Sequence, residues 1–290
     1  MSLNPPGTVG SSPECSIPGA SSEDAAEETA LSDQSGGHGD DLVHLEVDDA
    51  VATVTLDSPG NRNALGIALT GQLRAALDTA AGDDSVRVVL LRSAGPVFCS
   101  GADMREAVEV GMHAVARDMV AVQRTIVALP RPVVVRLDGP VRAGGLGLVG
   151  ATDVVLAADT VTFAFTEVRL GLAAATISLT CLDRMGERAA SWRFLGGETF
   201  DAAEAERVGL VTRAVPSGGM DTAVEEVVSA LRQGTPQGLR ETKAVLNAAL
   251  LTRIDTEGER LAELSARLFA TDESQAAMRT FLDRRGHSSR

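Results

Sequence analysis

The 290-residue sequence predicts an α/β fold, with stacked sheets and helices packed outside them. Three observations carry that prediction. Strand-like and helical stretches alternate from Leu42 to about Pro216. Two of the strands run into turns of very small residues that open helices, one around Cys99–Ala102 and one over Asp138–Gly147. Beyond Asp221 the apolar spacing is helical throughout.

The elements follow in order. Val51–Leu56 alternates as a half-buried strand does, and Ile67–Ala81 places Leu69, Leu73, Ala76 and Leu77 on one helical face. Val86–Leu91 reads as a second strand; the small-residue turn follows it, and a helix begins at Asp103 as its cap. Val133–Leu137 is an apolar strand that feeds the glycine-rich turn and the helix after it. Val154–Ala157 and Val211–Val215 are further short strands. Near the C-terminus Gly234 and Pro236 separate helices, Leu261, Leu264, Leu268 and Phe269 share a face, and so do Met278, Phe281 and Leu282.

Three regions result. Residues 1–40 are rich in Ser, Gly, Pro, Asp and Glu and hold no Lys or Arg, which reads as a disordered acidic tail. They lack the basic start and apolar core of a signal peptide. Residues 41–218 form the strand-bearing core, and 219–290 a helical region. The net charge of −14 argues against nucleic acid or an anionic membrane as partner, and no apolar run is long enough to span a bilayer. Cys15, Cys99 and Cys181 form no C-x-x-C pair, which argues against a disulfide framework or a zinc site and favours a cytoplasmic location.

The two small-residue turns have a shared chemical meaning. A helix N-terminus presents backbone N–H groups without intrahelical partners and carries partial positive charge. Two such turns can aim one N–H each at a single carbonyl oxygen. Each donor in an oxyanion hole of this kind is worth about 3–4 kcal/mol once charge develops.

Six segments, in order and in register, resemble the crotonase (enoyl-CoA hydratase/isomerase) family: Arg62–Leu65, Phe98–Asp103, Pro130–Val133, Asp138–Asp153, Phe163–Glu167 and Asp201–Leu210. The resemblance spans residues of about 42 to 285. It implies a crotonase-type spiral of ββα units with a C-terminal helical trimerisation region, hence a trimer or a dimer of trimers. The implied partner is an acyl-CoA thioester, with coenzyme A part of the substrate and no separate cofactor or metal. By the same resemblance the backbone N–H groups of Ala102 and Gly144 are the oxyanion donors.

Hydratases of this family use two glutamates. The resemblance places the second at Glu167 and the first at Gly147, which cannot transfer a proton. A positioned acid or base contributes about 10²–10⁴-fold. Hydration with a single glutamate should therefore be slow, whereas a double-bond shift needs only one carboxylate. Hydration and isomerisation both stand as expectations, with a catalytically silent acyl-CoA binder as the alternative. The run Leu172–Leu182, in place of the family's Pro-Gly-rich stretch, is expected to start a helix with bulkier residues lining the acyl pocket.

Candidate substrate contacts are Arg62, Ser100, Ala102, Asp103, Met104 and Arg105, with Phe281 and Arg284 near the C-terminus. Guanidinium groups suit the phosphates of CoA. Arg142 has three readings: a partner for Glu167, a ligand for a substrate carboxylate, or a solvent-facing side chain. Cys99 reads as a buried small residue. Ser100 has no matching His/Asp arrangement, since His38, His44, His113 and His287 are scattered.

Overall fold

The computed structural model describes residues 41–288 except Ser217, with side chains as far as Thr280. The expected acidic tail, with Cys15 and His38, lies outside the described residues. So do the side chains of Phe281, Leu282, Arg284 and His287.

A six-stranded sheet forms the centre, in the order β1 (Val43–Asp48), β2 (Val51–Leu56), β3 (Val88–Ser93), β4 (Val133–Leu137), β6 (Val154–Ala158), β9 (Arg213–Val215). Only the β1–β2 pair is antiparallel; the rest of the sheet is parallel. A smaller sheet sets β5 (Val141–Arg142) parallel to β7 (Thr162–Ala164), with β8 (Phe200–Asp201) antiparallel to β7. Parallel strands are covered on both faces and so carry continuous apolar runs. Accordingly Val89, Leu91, Val133, Val135 and Leu137 point into the main core. Val88, Val134 and Leu156 point the other way, onto Met220, Ala223, Val224 and Val228.

The longer helices are α1 (Ile67–Gly82), α2 (Met112–Ala128), α3 (Gly144–Ala151), α4 (Ala175–Arg184), α5 (Glu187–Gly196), α6 (Ala202–Arg207), α7 (Met220–Arg232), α8 (Pro236–Phe269) and α9 (Asp272–Ser288), and a short helical turn, Met104–Glu106, follows Asp103. Strands β2 and β4 keep their expected bounds. Strand β3 starts two residues later than its apolar run, because Val86 N–H donates to Asp83 O and closes a turn there. Strand β9 is likewise delayed, since Val211 N–H is held by Ala205 O. No helix among the described residues is long and apolar enough to cross a membrane.

Helix α8 runs 34 residues without a break and lies along α2. The two helices approach so closely at Gly258 that a β carbon there would stand 2.7 Å from Val120 Cγ1. The sole lysine ties α8 to the sheet. Lys243 Nζ lies 2.8 Å from Asp153 Oδ2 and donates to Ile126 O and Arg131 O at 2.9 and 3.0 Å. Asp153 also accepts from Val133 N–H, at 2.8 Å, and from Asn247 Nδ2. This polar hub fixes the start of β4, the strand that delivers the glycine-rich turn.

Candidate active site

Three loops zip together to form the site. Leu65 N–H donates to Gly101 O at 2.7 Å, and Asp103 N–H donates to Leu65 O at 3.1 Å. In a parallel bridge of this form the middle residue, Ala102, turns its own N–H away from its partner strand. A second bridge, Cys99 to Val141, joins this loop to the glycine-rich turn, with Arg142 N–H donating to Cys99 O at 2.9 Å. Asn63, fully buried at φ +53°, locks the third loop by donating to Val97 O and accepting from Ser58 N–H.

Glycine is required where the loops meet. A β carbon on Gly139 would stand 2.1 Å from Pro96 O, and one on Gly145 would meet Cys99 Cβ at 2.8 Å. The neighbouring Ala143 caps α3 at φ 45°, ψ −119°, a conformation that glycine prefers. Its N–H donates to Ala164 O at 3.0 Å, which pins the turn to β7. Gly144 then opens α3. The position its β carbon would take is 3.3 Å from Ala102 N, so the two expected donors belong to one small region. Among the described residues neither N–H has a hydrogen-bond partner. Both can therefore serve an incoming oxygen.

Glu167 lies on a 3₁₀ turn, Thr166–Leu170, three residues beyond β7, and so follows the strand that runs beside Arg142–Ala143. Oε2 is buried, and among the described residues it has no hydrogen-bond partner. Burial pushes the carboxyl up to about 7, although its own backbone N–H pulls the other way. A group poised there can both take and return a proton near neutral pH. Leu172, just past the turn, joins Ala102 and Met104 against an apolar cluster of Ala107, Met112, Val115, Ala116, Ala262 and Phe269.

The direction a side chain at Gly147 would take is filled. A β carbon there would stand 2.8 Å from Ile177 Cγ2 and 3.1 Å from the Gln123 amide. Gln123 Nε2 donates to Met119 O, and its Oε1 lies 2.9 Å from the buried Thr180 hydroxyl, which is also 3.0 Å from Gly147 O. The expected helix after Leu172 is present as α4 and supplies Ile177 and Thr180. Spacing alone could not show that Gln123, from α2, fills the same space.

The other candidates separate by environment. Asp103 caps the following helical turn by accepting from Arg105 and Glu106 N–H groups. Ser100 Oγ donates to Asn61 O, a structural bond. Arg62, at φ +59°, and exposed Arg105 flank the Ala102 loop, and among the described residues neither forms an ion pair. Met104 packs in the apolar cluster. Arg142 donates to Thr162 O and Thr162 Oγ1 at 2.7 and 2.8 Å, bonds that belong to the small sheet and that its sequence position did not suggest. His44 pairs with Asp57, and His113 with Glu259, at the surface. Cys99 is fully buried, and burial pushes its thiol up to about 12. No local pattern marked Glu106, whose Oε2 accepts from Ile67 N–H and caps α1 from another loop.

The sequence profile of the enoyl-CoA hydratase/isomerase family matches residues 46–288. An enoyl-CoA hydratase crystal structure from Mycobacterium avium is 46% identical, with a TM-score of 0.79, covering 84% of this chain and 96% of that one. A Thermus thermophilus protein named as a candidate enoyl-CoA hydratase is 32% identical over 242 residues, 81% of this chain and 95% of its own. The mevalonyl-coenzyme A hydratase sidH of Aspergillus fumigatus is 26% identical over 243 residues, 81% of this chain and 89% of its own.

Proposed function

The chain belongs to the enoyl-CoA hydratase/isomerase family, and on that premise we propose that it shifts the double bond of an enoyl-CoA thioester, with Glu167 as the single acid/base. The thioester oxygen sits between the N–H groups of Ala102 and Gly144. Glu167 as carboxylate takes a proton from C2 of a 3-enoyl chain. The electron pair moves onto the carbonyl oxygen, where the two donors and the α3 N-terminus stabilise it. Glu167 returns the proton at C4, leaving the conjugated 2-enoyl thioester. One carboxyl near 7 meets both demands.

The filled space at Gly147 carries the choice of isomerisation. Ile177 and Gln123 occupy the volume into which a second carboxylate would extend. Hydration is the second reading, and the hydratase names of the relatives favour it. Arg62 and Arg105 would meet the phosphates of CoA, with Phe281 and Arg284 of α9 as further contacts. A trimer or dimer of trimers would be the working assembly, which light scattering can check.

Incubation with 3-enoyl-CoA and 2-enoyl-CoA, followed by the absorbance of the conjugated thioester, tests the proposal. Isomerisation predicts a gain of absorbance from the 3-enoyl substrate. Hydration predicts a loss from the 2-enoyl substrate. No change with either, together with tight binding of the esters, would mark a silent acyl-CoA binder.

A further inference from the structure

Glu167 sits on a turn flanked by two left-handed glycines. The turn stops at Gly171, φ +68°, whose N–H donates to Glu167 O; Leu172 N–H donates to the same oxygen at 3.0 Å. Outside Gly171 the fit is tight. A β carbon on it would stand 3.2 Å from Ser274 Cα and 3.3 Å from Ser274 N. Gly197, φ +64°, ends α5, and a β carbon there would meet Val168 Cγ1 at 2.9 Å and Phe165 O at 3.2 Å.

Ser274 belongs to the first turn of α9. It is fully buried, and among the described residues its hydroxyl has no hydrogen-bond partner. Its smallness lets the backbone of α9 sit on Gly171. The corner that delivers it is rigid: Gln275 N–H donates to Thr271 O, Gln275 Nε2 donates to Phe269 O, and Ser274 N–H donates to Thr271 Oγ1. That corner continues from α8, which Lys243 anchors to the sheet.

We propose that Ser274 is a positioning residue, through which the α8–α9 corner presses on Gly171 and fixes the Glu167 turn against the oxyanion loops. The inference rests on Glu167 being the acid/base. The charged and titratable groups around that turn are Arg169 on the turn itself, Glu273 of α9, whose Cγ is 3.5 Å from the Gly171 β-carbon position, and Cys181 of α4.

The full-length chain, labelled with ¹³C at its glutamate carboxyl carbons, allows a test by NMR titration alongside turnover of 3-enoyl-CoA. Wild type should show one glutamate titrating near 7 that is missing from Glu167→Gln. In Ser274→Leu that titration should move down toward the ordinary carboxylate range as water reaches the loosened turn, and kcat should fall about 10-fold or more with KM nearly unchanged. Ser274→Ala keeps the backbone contact and should match wild type in both. Should Ser274→Leu fail to fold, Gly171→Ala serves in its place. Gly218→Ala is its control, because it sets a side chain at φ +85° in open space. A folded Ser274→Leu or Gly171→Ala with wild-type titration and wild-type kcat overturns the positioning role. Wild-type turnover in Glu167→Gln instead overturns the acid/base reading beneath it.

Discussion

Gly147 and Ile177 face each other so closely that a β carbon on the glycine would stand 2.8 Å from Ile177 Cγ2. The Gln123 amide closes the same space at 3.1 Å. Gly147→Glu should therefore destabilise the fold by about 3 kcal/mol, since it both overpacks α3 against α4 and buries a carboxyl. Hydration should not appear in this variant. Adding Ile177→Ala should recover part of the loss and open a place for the carboxylate. Urea unfolding and the 2-enoyl-CoA absorbance assay check both halves of the expectation.

Glu167 couples function to pH stability. Its folded carboxyl is held at about 7, above the ordinary 4.5. Between those values the folded state binds more protons than the unfolded state, so stability falls as pH rises through this window. The penalty at pH 8 is about 3 kcal/mol. Glu167→Gln should be more stable than wild type at pH 8 by an amount of that order, and nearly equal to it at pH 4. Turnover should collapse by about 10²-fold or more at every pH. Denaturation curves at the two pH values, with a pH–rate profile, measure the contrast.

Gly144→Ala tests the donor pair. The added methyl would stand 3.3 Å from Ala102 N and 2.6 Å from Met119 Cε, and the flexible methionine can yield where the backbone cannot. The fold should survive. Crowding beside one donor should lower kcat about 10²-fold, the loss typical of a removed oxyanion contact. Steady-state kinetics on 3-enoyl-CoA, with a melting curve to show the intact fold, supply the measurement.

Lys243→Met should cost about 3–5 kcal/mol, because it strands the Asp153 carboxylate in a buried setting and leaves Ile126 O and Arg131 O without their donor. Replacing Lys243 and Asp153 together by apolar residues should cost less than the single change. A double-mutant cycle by chemical denaturation checks this.

Much of the fold was legible in local pattern. The parallel strands declared themselves as apolar runs because both their faces are covered, and Val133–Leu137 kept its bounds. The Asp103 cap was equally plain, since the carboxylate and the N–H groups it serves are only two and three residues apart. Less legible were contacts between distant segments. Arg142 was open to three readings, and the hydrogen bonds to Thr162 that it makes depend on the pairing of β5 with β7. Gln123 carried no signal at all, because an amide on an amphipathic helix reads like any polar residue.

The sequence by itself determined the family, the two small-residue turns, the carboxylate at Glu167 and the missing carboxylate at Gly147. These are matters of residue type and spacing along the chain. Tertiary structure alone decided that Ile177 and Gln123 fill the vacated direction, that burial lifts Glu167 to about 7, and that Ser274 sits on Gly171. The physical reason is that desolvation and steric exclusion depend on which remote atoms share a volume. Glu167 draws its proton affinity from burial, which remote segments impose and its own turn cannot.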